Sequence, residues 1–336
     1  MATSGSVDYG VTFTANTIIQ SALEDLGIMA SGDTTSSTTF TDHSAGALIK
    51  LNLLVKQYGY PTDGSAGMQA WAIKRAYLFL QTGEAVYTLG PTTTATGATS
   101  KWANAYVTTT IASAEAAGQT VLSLTSSTGI LDTYRIGIEL DTGAMQWTTV
   151  SGAPAGNDVT VAVALTSAAA AGNRVFVYDD TATVQGRRPL EIISLVLRST
   201  DGTDSPPLRP IRTTEEYEAN PTKGADGQPT AYYYERTLKD GTLYFDSEPT
   251  DVTQVARITY RSPFEDFDSA ANDDADFDPV WGRALVHSLS YELCPRFGLD
   301  ARMPAIKALR DEALGIARNA LPEVSDAYFQ PGEPDY

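Results

Sequence analysis

Two histidines, a single cysteine and forty-one carboxylates are the groups in this 336-residue chain from which acid–base, nucleophilic or metal chemistry would have to be built. Their spacing supports none of it. His43 sits beside Asp42 in a Ser/Thr-rich stretch, and His287 lies inside "WGRALVHSLSYEL", two residues before Leu289. Neither belongs to an HExxH or Cys/His ligand pattern, which excludes a structural zinc site. His287 falls off the strongest apolar stripe of its segment, so it reads as a surface or half-buried helix residue rather than a catalytic base. His43 reads as decoration of a helix N-terminus. Cys294 alone rules out an intramolecular disulfide framework and a multi-thiolate site, and constrains the redox compartment only weakly toward the cytosol.

The acidic stretch "EDFDSAANDDADFDP" could in principle hold calcium. Aligned as an EF-hand loop from Asp274, it places Asp276 and Asp278 correctly but puts Pro279 where glycine is required and Leu285 where the final glutamate belongs. The motif fails. Asp278 reads instead as a helix N-cap followed by proline at the first helical position, with its acidic neighbours favouring that helix end. No carboxylate pair stands out for glycoside hydrolysis, whose geometry spacing in sequence cannot fix. There is no Walker-type GxxxxGK[ST], no GxGxxG after a strand and no GxSxG elbow. The reading therefore assigns no catalytic, cofactor-binding or metal-binding residue and expects neither an enzyme nor a cofactor.

Tyr232, Tyr233 and Tyr234 pose a different choice between a stacking platform, a catalytic cluster and sheet packing. In a strand, consecutive side chains alternate faces, so Tyr232 and Tyr234 point one way and Tyr233 the other. A platform would use one face. Without interleaved basic residues, high β propensity and cross-strand aromatic packing account for them better than base stacking. With Gly227-x-Pro229 before and Lys239-Asp240-Gly241 after, "GADGQPTAYYYERTLKDGTLYFDSEP" reads as a hairpin.

Forty-one acids against twenty-three bases give a formal charge of −18. A surface of that sign repels phosphate backbones and anionic lipid, which argues against tight nucleic-acid binding. It would also let a duplex slide past without sticking. The segment "MATSGSVDYG" lacks a basic and an apolar signal region, and no apolar run is long enough to span a bilayer. The expectation is a soluble protein made without an export signal and with no membrane partner.

The elements that must position these groups follow from periodicity. Ile18, Ala22, Leu23 and Leu26 share a face between Thr14 as N-cap and Gly27, which predicts a first helix. From Ser44, Leu48, Leu51, Val55 and Tyr58 predict a second, stopped by Gly59 and Pro61, and "ASGDTTSSTTFTDHS" between them reads as a polar loop. Trp71 to Gln81 is ambiguous, and "EAVYTLGP" suits a strand. Residues 92–183, rich in Thr, Ala, Ser, Val and Gly, fall into short alternating runs: "QTVLSL", "YRIGIEL", "MQWTTV", "DVTVAVAL" and "RVFVYDD". Turns such as Gly156-Asn157-Asp158 separate them, as in a small antiparallel barrel or sandwich. Strands "LEIISLVLRS", "AYYYER", "TLYFDS" and "VARITYRS" follow. Trp281, Leu285, Leu289 and Leu293 then share a helix face, and a last helix from Pro304 to Pro322 carries Ile306, Leu309, Ala313, Ile316, Ala317 and Ala320 as its apolar side. The tail "PEVSDAYFQPGEPDY" is acidic, aromatic and broken by proline.

The predicted fold class is α+β: terminal α-helices forming a helical bundle, a central antiparallel β-sheet or sandwich, and an inserted small all-β barrel or sandwich module. The expected divisions are 1–91 for the N-terminal helices and first strand, 92–183 for the inserted module, and 184–277 for the second β region. The C-terminal helices take 278–321 and an arm takes 322–336.

Several motifs stand in an order that resembles the head-to-tail adaptor proteins of tailed, especially short-tailed, bacteriophages, also called tail accessory factors, DNA-stabilisation proteins or tail tubular protein A. They are "TIIQSALEDLGIM", "LIKLNLLVKQYG", "YLFLQTGEAVYTLGP", "RPLEIISLVLRS", "IRTTEEYEA", "GQPTAYYYERTLKDGTLYFDSEP", "ARITYRSPFEDF" and "PVWGRALVHSLSYELCPRFG". They cover most of 14–91 and 188–320 and leave the inserted module outside. Each motif is unspecific alone; the order carries the resemblance. It implies a structural virion protein at the head–tail junction, assembled in the host cytoplasm as a ring of about twelve copies beneath the portal protein. Such a ring closes and extends the DNA channel, docks the tail nozzle or tail tube, and lets packaged DNA pass without sequence-specific binding. By the same resemblance Tyr328, Phe329, Pro331 and Tyr336 of the arm are portal contacts. The net charge, separately, makes an acidic bore the expectation for such a ring. Two readings from other classes stand beside it: a virion-surface adhesion or decoration protein, for which the Thr-rich module argues, and a cell-wall glycosidase, for which only abundant carboxylates argue.

Overall fold

The computed structural model of the chain describes residues 14–59, 73–90, 101–179, 188–221, 223–238, 240–264, 266–267 and 280–319. It has an α+β fold. The described helices are α1 (Ala15–Asp25), α2 (Thr38–Gly59), α3 (Thr214–Glu218), α4 (Val280–Leu293) and α5 (Met303–Asn319). Two units separate: residues 1–72 with 263–336 form one and 73–262 the other.

In the first unit, helices from both ends of the chain share one core. α4 packs on α1, α2 and α5, and its buried residues run around most of its circumference: Trp281, Gly282, Ala284, Leu285, Ser288, Leu289, Ser290 and Leu293. A helix buried on nearly all sides needs partners on each of them. α1 supplies Ile18, Ile19 and Leu23, α2 supplies Leu51, Leu54 and Val55, and α5 supplies Ile306, Ala313, Leu314 and Ala317. The buried hydroxyls of α4 are bonded, as burial demands. Ser288 donates to the Ala284 carbonyl at 2.6 Å and Ser290 to the Val286 carbonyl at 2.9 Å. The Tyr58 hydroxyl lies 2.7 Å from Ser288 Oγ.

The ends of α1 follow its sequence. Thr14 Oγ1 accepts from the Thr17 amide at 3.2 Å, Gly27 takes a φ of 70°, and Arg302 donates to the Leu26 carbonyl at 2.9 Å. α2 corrects the expectation. It begins at Thr38, six residues before Ser44, so part of the predicted polar loop is helical. Ser37 Oγ accepts from the Phe40 amide at 3.2 Å, and Phe40 is buried. Capping plus burial of one aromatic outweighs the weak helix propensity of threonine. A second correction concerns Leu309 and Ile316, which the periodicity assigns to the apolar face of the last helix. Both are exposed on α5.

The second unit holds the strands β1 (Ile73–Phe79), β2 (Val86–Leu89), β3 (Lys101–Ala103), β4 (Val107–Thr110), β5 (Val121–Ser123), β6 (Arg135–Glu139) and β7 (Met145–Thr149). It continues with β8 (Asp158–Thr160), β9 (Arg174–Tyr178), β10 (Glu191–Arg198), β11 (Arg209–Ile211), β12 (Ala231–Arg236), β13 (Gly241–Phe245) and β14 (Val255–Arg261). One sheet has the order β10-β14-β1-β3 and a second the order β11-β12-β13-β2. Their inner faces share a core in which Leu78, Trp102, Leu195, Ile258 and Tyr260 of the first sheet meet Tyr87, Tyr232, Leu243 and Phe245 of the second. That is a sandwich, built by the inward half of each alternating strand. β3 falls inside the range read as the inserted module, yet pairs with β1, Leu78 opposite Trp102.

Strands β4 to β9 form a barrel. β4-β9-β6-β7 make one continuous sheet and β5-β8 a second. Bridges Ile111–Leu124 and Val150–Val161 join them at both seams. Backbone bonds from Thr125 to Thr110 at 2.9 Å and from Ser151 to Thr160 at 2.8 Å seal those seams, which removes the unpaired edges a small sheet would expose. Ile111, Leu122, Ile136, Ile138, Val159, Val161, Val175 and Val177 fill the interior. Three strands enter through a similar local sequence, Ala-Gly followed by a side-chain amide: Ala117-Gly118-Gln119, Ala155-Gly156-Asn157 and Ala171-Gly172-Asn173, each with glycine at positive φ.

The barrel rests on the outer face of β1 through aromatic rings. Phe79 lies 5.1 Å from Trp147, 5.4 Å from Phe176, 5.5 Å from Tyr106 and 5.3 Å from Tyr178, the last pair stacked. Trp147 reaches that position by lying across Gly137, its cross-strand partner. A Cβ on Gly137 would stand 2.7 Å from the indole. Gly137→Ala is therefore expected to displace Trp147 and destabilise this unit by about 1–3 kcal/mol. A lowered denaturation midpoint with altered near-UV dichroism checks it, and wild-type values would contradict the stacking account.

Candidate functional site

His43, His287 and Cys294 all lie in the helical unit. His43 lies within α2, edge-to-face against Phe297 at 4.9 Å, rather than at a helix N-terminus. His287 sits on α4 with Nδ1 3.1 Å from Asp25 Oδ2, and its Nε2 accepts from Arg283 at 3.4 Å. It is a half-buried residue tying α4 to α1. Cys294 is buried, and burial pushes its thiol above the usual range. Among the described residues, no group of three or more His, Cys, Asp or Glu side chains could hold a metal ion. None of the described helices is long and apolar enough to cross a membrane. Asp274, Asp276 and Asp278 lie outside the described residues, as do Tyr328, Phe329, Pro331 and Tyr336 of the arm.

The tyrosine run divides between two faces, as alternation requires. Tyr232 and Tyr234 turn inward to the sandwich core, and the Tyr234 hydroxyl donates to the Pro189 carbonyl at 2.7 Å. Its ring lies over Gly241, where a Cβ would come 2.4 Å from ring carbons. Tyr233 turns outward and meets Tyr217 from α3 and Tyr244 from β13, stacked on Tyr217 at 5.6 Å and tilted to Tyr244 at 5.8 Å. Lys223 Nζ covers the Tyr217 ring at 4.6 Å and pairs with Glu218 at 2.7 Å. The rings pack on one another with Ile211 and Ala231. The outward face is thus a small second core under α3, and stacking bases would have to displace Tyr217.

α3 itself went unread in the sequence, although its signal is there. Thr213-x-x-Glu216 is the spacing of a capping box, and Thr213 Oγ1 accepts from the Glu216 amide at 3.1 Å. Arg209 then pairs with Glu216 at 2.6 Å, and its hydrogen bond holds that carboxyl below the usual range.

Two surface features did not emerge from sequence at all. The outer face of β10, β14 and β1 gathers Arg75, Arg198, Arg257 and Arg261 by strand register. Asp204 bridges Arg198 at 2.9 Å and Arg257 at 2.8 Å, and Glu191 meets Arg261 at 2.8 Å. The hydrogen bond from Arg198 holds the Asp204 carboxyl below its ordinary range. A local excess of cations thus stands on an acidic protein. The other feature is apolar. Ile49 and Leu53 on α2, and Leu309 and Ile316 on α5, are exposed. At the tip between β12 and β13, Leu238 is 92% exposed, and its carbonyl accepts from Arg188 at 2.9 Å.

No family model and no curated protein matches this chain. What the side chains can do rests on their geometry, which offers packing, ion pairs and exposed apolar surface.

Buried phenols give that geometry a pH dependence. Burial raises the Tyr232 phenol to about 12, and burial likewise raises Tyr87 and Tyr234. A phenol free in the unfolded chain ionises near ~10. The folded state therefore keeps protons that the unfolded state loses, and stability falls as pH rises from that value toward the folded-state one. Alkaline titration is expected to release tyrosinate absorbance together with loss of ellipticity. Absorbance rising fully near ~10 in a still-folded protein would contradict the burial.

Proposed function

We propose that the chain is a head-to-tail adaptor of a tailed, short-tailed-type bacteriophage. In this reading it is a structural virion protein that forms a ring of about twelve copies beneath the portal protein. The ring closes and extends the DNA channel after packaging and docks the tail nozzle or tail tube. The protein assembles in the host cytoplasm and resides at the head–tail junction.

The observation that carries the reading is the convergence of its separated motifs. "TIIQSALEDLGIM", "LIKLNLLVKQYG" and "PVWGRALVHSLSYELCPRFG" are more than two hundred residues apart at their extremes, yet Ile18, Leu23, Leu51, Val55, Trp281 and Leu289 share one core. Their order in the chain has a physical reason when a bundle must be closed by both chain ends. The charge of −18 adds support, because an acidic bore would not hold passing DNA. The cationic face of β10, β14 and β1 has two of its arginines bound to Asp204 and a third bound to Glu191.

One observation favours the decoration reading for part of the chain. The barrel is closed at both seams and has its own core, so it suits a module that meets a tail fibre or capsid surface.

Purified protein mixed with detergent-free portal rings is expected to form rings on them in electron micrographs, while the protein alone stays monomeric. Monomers that ignore the portal would reject the adaptor role. Truncation after Pro322 is expected to abolish portal binding and leave the helical unit folded. In this reading the aromatic side chains of the arm supply the contact area, and undiminished binding would remove Tyr328, Phe329, Pro331 and Tyr336 from the contact.

A further inference from the structure

We infer that the ring contact is made in trans between two helix ridges, α2 of one copy packing against α5 of a second copy of this chain. The inference rests on the ring reading above and supplies its interface.

On α2, Ala45, Ile49 and Leu53 repeat every four residues and lie exposed, Ile49 at 65% and Leu53 at 62%. They stand opposite Ala47, Leu51, Leu54 and Val55, which face the core. On α5, Leu309 is 41% and Ile316 53% exposed, with Ala305 and Ala308 exposed beside them. Residues four apart form ridges, and neighbouring ridges bound a groove. Ala305–Leu309 and Ala308–Glu312–Ile316 are two such ridges, and the groove between them accepts the single row Ala45–Ile49–Leu53. Charge matches shape. Leu53 is flanked three residues away on either side by Lys50 and Lys56, whereas Glu312 stands between Leu309 and Ile316. On their own chain Lys50 donates to the Glu292 backbone carbonyl with the Glu292 carboxylate 3.9 Å away, and Lys56 meets Asp266 at 2.8 Å, so both cations stand at the rim of the α2 row already anchored beside it.

The occupant follows from there being two ridges. A two-fold dimer uses one self-complementary patch, whereas two unlike patches that fit one another generate a head-to-tail series that closes as a ring. A partner of unrelated sequence would account for either ridge alone but not for the match between them. A few exposed residues on each side fall short of the roughly 800 Å² per partner of a stable interface. The contact is therefore weak between free monomers and gains strength when a template holds copies side by side.

Disulfide trapping tests it. The double variant Leu53→Cys/Leu309→Cys, oxidised at high concentration, is expected to give a ladder of trimers and larger species on non-reducing gels. Each single variant is expected to give none. Crosslinking of the Leu53→Cys variant alone, or a double variant no more crosslinked than the singles, overturns the proposal. Ile49→Asp/Leu53→Asp and Leu309→Asp/Ile316→Asp alter exposed positions only, so both are expected to keep wild-type circular dichroism. Each alone is expected to fail to complete rings on portals, and their equimolar mixture to stop at dimers. If both aspartate variants form rings on portals as the wild type does, the ridges are wrong and the ring reading stands. If the wild type forms no ring and the double cysteine variant no ladder, both fail.

Discussion

The helical unit depends on the near-complete burial of one helix. α4 hides Trp281, Leu285, Leu289 and Leu293 together with the small residues Gly282, Ala284, Ser288 and Ser290. No single neighbour can cover a helix that is apolar on so much of its circumference. Covering it requires α1 and α2 from one end of the chain and α5 from the other. The loop-closure entropy of bringing such distant segments together grows only slowly with separation, so a β unit of 190 residues, 73–262, can stand between them in sequence.

Within the β unit the same economy of packing appears as pairs of glycine and aromatic. Trp147 lies over Gly137 and Tyr234 over Gly241. In each case the missing Cβ makes room for a ring that also makes a second contact. Trp147 reaches Phe79 and so joins barrel to sandwich, while Tyr234 extends to the Pro189 carbonyl. The glycines cost backbone entropy, and the rings return it as buried area. Tyr217, Tyr233 and Tyr244 repeat the theme on the outer face, where α3 supplies the ring that finishes the cluster.

Several of the charged groups in the described residues are occupied with one another. His287 holds Asp25, Asp204 holds two arginines, and Lys223 is shared between Glu218 and a tyrosine ring. Exposed apolar side chains remain, among them Ile49 and Leu53 on one helix and Leu309 and Ile316 on another. Ridges of this kind suit recognition by shape between like subunits, and weak individual contacts suit assembly on a template.

Much of this was legible in the sequence wherever a single period or cap determined the outcome. Thr14 and Gly27 bounded α1, the alternating runs located β5 to β9, and alternation alone assigned Tyr232 and Tyr234 to the face opposite Tyr233. The sequence could not show that Ser37 and Phe40 extend α2 backward, because a Ser/Thr-rich segment reads as loop until a buried partner is present. Nor could it show that Leu309 and Ile316 stay outside, since a helix wheel records which residues are apolar and not how wide a stripe its neighbours cover. The closure of the barrel and the arginine face of β10, β14 and β1 arise from register between strands distant in the chain. Local sequence determined the elements, through periodicity and capping within a few residues; tertiary structure alone decided which apolar faces were covered, because coverage depends on surfaces brought together from opposite ends of the chain.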